Sequence, residues 1–227
     1  MDTIEEIKKR AAVQAMDFVR PGLTIGIGTG STVYWFIQEL AKKVQQGLVC
    51  QCVPTSIATR QLAVQLGIPM LELNDVEKID ITIDGADEID HQLRLIKGGG
   101  GALLQEKMVA AASAKLVIIA DNTKLVEQLG SFPLPVEVIP YGWKQVQRRI
   151  GDLYNIPVSL RMKDENILVT DHGHYILDCR FGEIRKPEII AAELNALPGV
   201  VENGLFIKMA NAAIIAGPGG SMQTLSV

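Results

Sequence analysis

Four short apolar runs, LTIGIG, LVCQCVP, IDITID and KLVIIAD, alternate with stretches of helical period through the first half of the chain, and this alternation leaves few ways to fold. Strands that lie parallel cannot be joined by a hairpin; each needs a crossover, usually a helix, and those helices cover the sheet. The pattern therefore predicts an α/β fold.

Residues 2 to 20 read as a helix, with Ile4, Ile7, Ala11, Ala15 and Phe18 on one face, Asp2 as N-cap and Glu5 three positions on; Pro21-Gly22 ends it. LTIGIG follows as a strand, TGST as a turn, and an amphipathic helix runs through Val44. LVCQCVP reads as a strand, residues 56 to 66 as a helix, and PMLEL and IDITID as strands, the last ending at Asp84. After LRLIKGGGG comes a helix over residues 102 to 114, then KLVIIAD as a strand running into a short helix, TKLVEQL.

The character changes at Gly130. FPLPVEVIP brings three prolines, Trp143 to Leu153 has helical period, and PVSLRM, NILVT and YILDCRF read as strands, with DHGH as a hairpin turn between the last two. With PEIIAAELNAL as a helix, residues 130–205 form a small α+β lobe, and LFIKMA, AAIIAG and the end of the chain return to the first sheet. The expected division is residues 1–129 with 206–227, and residues 130–205.

Hydrophobic residues at 48% against 21% charged ones call for a packed core, which excludes a disordered or fibrous chain. A net charge of −4 supplies no basic surface for nucleic acid, so none is expected as partner. MDTIEEIKKR carries acids and no apolar run, unlike a secretory or transit signal, and the expected location is cytoplasmic. Residues 209–227 are uncharged, but Asn211, Gly217, Pro218, Gly219, Gly220 and Ser221 interrupt them, which favours buried strand and turn over a membrane span. Cys50 and Cys52 share one strand face and read as apolar packing, and Cys179 has no partner for a disulfide framework. His91, His172 and His174 are weak candidates, the latter two expected to face solvent.

Three loops carry the chemistry. GIGTGST places Gly26, Gly28 and Gly30 between a strand and a helix, where glycines permit close approach to an anion and helix N–H groups hold it. Ser31 stands where a dinucleotide fingerprint needs glycine, and the Gly-Lys-Ser/Thr ending of a P-loop is missing, so a tight structural turn remains equally compatible. IDGADEID puts Asp84, Asp87 and Glu88 beyond the carboxyl end of a strand, the edge where open α/β sheets bind ligands; solvated turn acids are the plain alternative. IKGGGGALLQEK is the most informative. Four glycines are entropically costly in an ordered loop, so Gly98 to Gly101 point to a backbone that approaches a ligand. Lys97 can then stabilise an oxyanion while Glu106, one turn into the helix, takes a proton. Spacing alone fits a solvated Glu106–Lys107 pair as well. Lys124 in ADNTKL lies on the same sheet edge and suits a phosphate.

In order, GIGTGST, DGADEID, IKGGGGALLQEK, ADNTK and FPLPVEVIP resemble the motif series of type A ribose-5-phosphate isomerases, and the resemblance covers nearly the whole chain. It implies interconversion of D-ribose 5-phosphate and D-ribulose 5-phosphate in the non-oxidative pentose phosphate pathway, with neither metal nor organic cofactor. It also implies a Rossmann-like main domain, a smaller ferredoxin-like lobe and a homodimer or homotetramer. Matched by position, the base falls on Glu106 and the other catalytic groups on Asp84, Asp87 and Lys97. Substrate contacts fall on Thr29, Gly30, Ser31 and Thr32, on Asp84, Gly85, Ala86 and Asp87, on Lys97, Gly98, Gly99 and Gly100, and on Lys124, with Lys8 approaching the phosphate. Gly101 departs from a common alanine, and SIATR at 56 to 60 leaves Ser56 and Thr59 without an assigned role. A sugar-phosphate sensor without turnover is the rival from another functional class. Its discriminating feature, a DNA-binding helical module, is not evident. An amino-sugar-phosphate deaminase or a coenzyme A transferase of similar architecture fits the ordered Asp84, Asp87, Lys97 and Glu106 set less well.

Overall fold

The computed structural model describes residues 2–226. Helix α1 (Ile4–Ala15) is capped by Thr3, whose hydroxyl accepts the Glu6 N–H while the Glu6 carboxylate accepts the Thr3 N–H. The expected Asp2 cap is therefore displaced by one residue, because Asp2 pairs with Arg10 at 2.8 Å instead. A 3₁₀ turn, Met16–Phe18, leads to β1 (Thr24–Ile27), α2 (Ser31–Gln45), β2 (Gln51–Pro54) and α3 (Ile57–Gln65).

PMLEL is not a strand. It makes a single bridge, Met70 to Cys52, and then turns into a 3₁₀ turn at Leu73–Asp75, because Leu71, Leu73 and Val76 are drawn onto Val53, Ile79 and Val109. Next come β3 (Ile81–Asp84), β4 (Glu88–Ile89), β5 (Leu95–Ile96), α4 (Leu103–Ala111) and β6 (Leu116–Asp121). The expected helix TKLVEQL is only a 3₁₀ turn, Asn122–Lys124, which the Asp121 side chain caps at the Thr123 N–H.

The second half holds β7 (Leu134–Val138), α5 (Trp143–Tyr154), β8 (Val158–Leu160), β9 (Met162–Lys163), β10 (Asn166–Ile167) and β11 (Tyr175–Cys179). Then follow α6 (Pro187–Asn195), β12 (Val200–Asn203), β13 (Leu205–Phe206), β14 (Ala212–Ala216) and β15 (Met222–Ser226).

Six strands form the main sheet in the order β15-β14-β6-β3-β1-β2, all parallel except the edge strand β15. From the central pair, β1 leads outward to β2 and β3 leads the other way to β6, so the crevice beyond their carboxyl ends is a topological switch point. β7, α5, β8, β11, α6 and β12 make an antiparallel sheet in the order β12-β7-β11-β8, the ferredoxin-like β-α-β-β-α-β arrangement.

Two expected pairings fail for the same reason, that the edge is already occupied. NILVT does not pair with YILDCRF, since β11 is flanked by β7 and β8; β10 closes a small hairpin with β9, and DHGH is held by the Thr170 N–H to the His174 carbonyl. LFIKMA does not rejoin the main sheet, since β14 takes the edge of β6; β13 pairs with β5 in a three-stranded sheet, β13-β5-β4. AAIIAG and the chain end do return, as a wholly buried β14 and an exposed β15, while Val227 lies outside the described residues. Among the described residues no helix is long and apolar enough to cross a membrane.

One apolar cluster packs α1 and α2 on one face of the main sheet, through Ile7, Phe36, Ile25 and Ile119. A second fills the ferredoxin-like sheet, and a third joins Ile118 and Ile215 to Leu95 and Phe206 of the three-stranded sheet. Cys50, Cys52 and Cys179 are buried free thiols, as apolar packing requires.

Candidate active site

The site begins where β1 and β3 end together. Ile27 pairs with Ile83, so Gly28 and Asp84 arrive side by side; a Cβ on Gly28 would lie 2.0 Å from Asp84 Oδ1 and 2.6 Å from its Cα. Glycine is required there by space. Asp84 is fully buried, and its Oδ1 accepts the Thr29 N–H at 3.1 Å and the Gly85 N–H at 2.7 Å. Gly30 takes φ +123° and opens α2 with no side-chain cap, leaving the first N–H groups of that helix free for an anion.

Ser56 and Thr59 hold this loop rather than line the cavity. The Thr29 hydroxyl lies 2.8 Å from those of Thr55 and Ser56 and 3.1 Å from that of Thr59, which itself donates to the Gly28 carbonyl.

Lys97 follows β5 and is buried to 2% exposure. Its Nζ donates to the Gly85 carbonyl at 2.6 Å and stands 3.0 Å from Asp84 Oδ2 and 3.3 Å from Glu106 Oε1. Glu106, in the first turn of α4, is 4% exposed, and its Oε2 is buried with no protein partner. A Glu106–Lys107 surface pair is thereby excluded: Lys107 turns the other way and donates to Glu202 Oε1 at 2.8 Å and to the Asn203 carbonyl.

One ammonium thus faces two buried carboxylates, an arrangement short of one positive charge, so the set tends to keep a proton. Burial pushes the Glu106 carboxyl up to about 8, against the pull of Lys97 and with help from Asp84 and Asp87. Burial pulls Lys97 down, but Asp84 and Glu106 outweigh it and hold the ammonium above the ordinary lysine range.

The glycine run crosses in front of this group. Asp87 Oδ2 accepts the Gly99 N–H at 2.7 Å, and a Cβ on Gly99 would lie 2.4 Å from Asp87 Oδ1. Gly99→Ala should therefore push the Asp87 carboxylate aside and lower kcat/KM by about tenfold to a hundredfold, the cost of an ångström-scale misplacement. Steady-state kinetics with a melting curve on the same variant checks this.

These loops enclose a cavity of about 270 Å³. Lys97, Glu106, Asp87 and Gly98 to Gly100 line it, with Gly85 and Ala86, and so do Lys8, Thr29, Gly30, Ser31, Thr32 and Lys124. Of the expected contacts only Asp84 is missing from the wall, because it sits fully buried behind Lys97. Ile4, Asp121 and Thr123 line the cavity unforeseen. The Asp-X-Thr turn signal in ADNTK was there to read; Ile4, on a helix face expected to be core, gave none.

The histidines lie elsewhere. His91 meets Glu127 on the surface and His172 is exposed. His174 corrects the expectation of a solvent-facing ring: its Nδ1 is 3.0 Å from Glu137, a carboxylate buried to 1% exposure that no sequence signal announced.

A buried carboxylate with one free oxygen, beside an ammonium and across a small cavity from an uncapped helix N-terminus and two lysines, defines an acid–base enzyme for a small phosphorylated substrate. The comparisons give that class its family. The family model of Ribose 5-phosphate isomerase A (phosphoriboisomerase A) matches residues 51–220. The chain is 54% identical over 215 residues to ribose-5-phosphate isomerase A of Bacillus mycoides, covering 94% of this chain and 97% of that one. Against the same enzyme of Agrobacterium fabrum it is 48% identical over 227 residues, covering 98% of each. Among solved structures, ribose 5-phosphate isomerase of Plasmodium falciparum superposes with TM-score 0.95 at 38% identity, over 98% of this chain and 99% of that one. A D-ribose-5-phosphate isomerase in complex with phospho-erythronic acid gives TM-score 0.95 and 38% identity over 100% of both chains.

The chain belongs to the ribose-5-phosphate isomerase A family. Its activity is the aldose–ketose isomerisation of ribose 5-phosphate in the pentose phosphate pathway.

Proposed function

We propose that Glu106 is the base of this isomerisation, moving a proton between C2 of the open-chain aldose and C1 of the ketose. The observation that carries the proposal is its buried, unpartnered Oε2 beside the Lys97 ammonium. The phosphate docks at the N-terminus of α2, on Ser31, Thr32 and Lys124 with Lys8 nearby, and orients the sugar. Glu106 takes the C2 proton, the electron pair forms the C1–C2 double bond, and the resulting enediolate oxygen is stabilised by Lys97 and N–H groups of the glycine run. Return of the proton to C1 completes the ketose. Asp87, on the cavity wall, moves the hydroxyl protons in ring opening and between O1 and O2. Asp84 serves behind it as the anchor of Lys97, a division that its full burial supports.

The raised pKa gives a pH dependence with a definite sign. kcat/KM reports the free enzyme, whose base must be ionised. It should fall as pH drops through about 8, approaching tenfold per unit below the midpoint, where an ordinary glutamate would stay active down to about 4.5. A flat kcat/KM between pH 5 and 9 would contradict the assignment.

Lys124→Ala removes a phosphate contact far from the reacting carbons. It should raise KM by about tenfold with kcat within a few fold, the signature of lost uniform binding. The reading of the site as free of metal and organic cofactor is tested by assaying ribose 5-phosphate with excess chelator: retained turnover supports it, and abolished turnover removes it.

The homodimer or homotetramer and the cytoplasmic location belong to the same proposal, checked by light scattering and cell fractionation. So does the division into residues 1–129 with 206–227 and residues 130–205, which the four-stranded sheet, drawn wholly from the second of these, supports.

A further inference from the structure

Arg161, between β8 and β9, reaches out of the ferredoxin-like sheet to the back of the glycine run. Its Nε donates to Asp178 Oδ2 at 3.0 Å and its Nη2 to Asp178 Oδ1, forming a two-pronged pair with β11. Its Nη1 donates to the Gly98 carbonyl at 2.6 Å and to the Gly99 carbonyl at 3.1 Å. Both side chains are largely buried, at 11% and 20% exposure. Neither has a role in the mechanism derived above.

Carbonyl and N–H point in opposite directions across a trans peptide plane. A donor that holds the Gly98 and Gly99 carbonyls on the side of the ferredoxin-like sheet therefore turns the Gly99 and Gly100 N–H groups the other way. The Gly99 N–H duly meets Asp87 Oδ2 at 2.7 Å, and all three glycines lie on the cavity wall. Four successive glycines have no side chains to fix these peptide planes and the widest backbone freedom of any residue. The run needs an external anchor, and a fork locked by a carboxylate is stiffer than a lysine. A cationic donor on the carbonyls also polarises each peptide unit toward a stronger N–H donor.

We propose that Arg161 is a positioning residue for the isomerisation: through the Gly98 and Gly99 carbonyls it sets the N–H groups that orient Asp87 and face the enediolate, and Asp178 holds its fork. The inference rests on the reading of the glycine run as part of the site. It predicts that the ferredoxin-like sheet tunes turnover without touching substrate.

The experiment uses the full-length protein. Arg161→Lys keeps the charge but loses the two-sided grip, and should lower kcat by about tenfold to a hundredfold, with KM within about threefold because the phosphate end is untouched. The midpoint of the kcat/KM pH profile should move little, since Lys97 and Asp84, the strongest charges on Glu106, are untouched. In Arg161→Ala, millimolar guanidinium should recover part of kcat, while an equal concentration of sodium should not. Wild-type kcat in Arg161→Lys overturns the proposal. So does an Arg161→Ala loss that follows the fall in Tm and is not recovered by guanidinium. If Glu106→Gln is inactive while the Arg161 variants turn over normally, this inference fails and the assignment of the base stands.

Discussion

Glu106→Gln lowers kcat by about a hundredfold to ten-thousandfold, the range for loss of a general base, and leaves KM within a few fold. The amide has nearly the shape of the carboxyl it replaces, so its oxygen can still face Lys97 Nζ, 3.3 Å from Glu106 Oε1, and the phosphate end of the cavity is unchanged. What is lost is the proton acceptor alone. The same variant reports on stability. The carboxyl titrates near 4.5 when unperturbed and is pushed up to about 8 in the fold. A raised carboxyl favours the fold fully below its unfolded value, and that contribution is lost as pH rises through the folded value. The glutamine has no such loss, so its Tm should gain on that of the wild type between pH 5 and 9. Near wild-type turnover would take the proton transfer away from Glu106, and a Tm difference independent of pH would contradict the buried ionisation.

Lys97→Met should cost both activity and fold. Its removal leaves the Asp84 carboxylate buried beside a protonated Glu106 with no counter-charge. Breaking a buried pair by deleting one partner costs about 3–5 kcal/mol, which in a chain of this size lowers Tm by about 10 °C. Turnover falls as well, because the enediolate loses its ammonium. Adding Asp84→Asn to Lys97→Met separates the two effects. The double variant removes the stranded charge and should recover much of the lost Tm while remaining inactive. If the double variant regains turnover, Lys97 acts only by neutralising Asp84.

The parallel strands of the main sheet were legible because each is an apolar run too short for a helix and bounded by a turn or a helix. The pairings that misled, NILVT with YILDCRF and LFIKMA with the main sheet, have strand composition like the rest. A strand's sequence states that it wants a partner, but which edge is vacant depends on every other strand, and β7, β8 and β14 held the places first. PMLEL failed for a related reason: its leucines found a better burial under the sheet than a ladder offered.

The site divides along the same line. The clustering of Lys97, the four glycines and Glu106 is written along one short segment, so the glycine cost marked it as a candidate and the motif order gave it roles. Whether Glu106 turned toward Lys97 or toward solvent beside Lys107 could not be read there, because one helical turn serves either. Asp84 illustrates the limit. Its place after an apolar strand was plain, but not that Gly28 would come near enough to shut it behind Lys97.

By itself the sequence determined the α/β class, the candidate segment and the family, since these depend on periodicity, glycine content and motif order along one strand of chain. Only the tertiary structure decided that Glu106 is a buried carboxyl with a free oxygen, that Asp84 lies behind Lys97, and that Arg161 donates to two carbonyls of the glycine run. Those properties depend on burial and on distances between residues far apart in the chain, and they exist only once β1, β3 and the ferredoxin-like sheet have met.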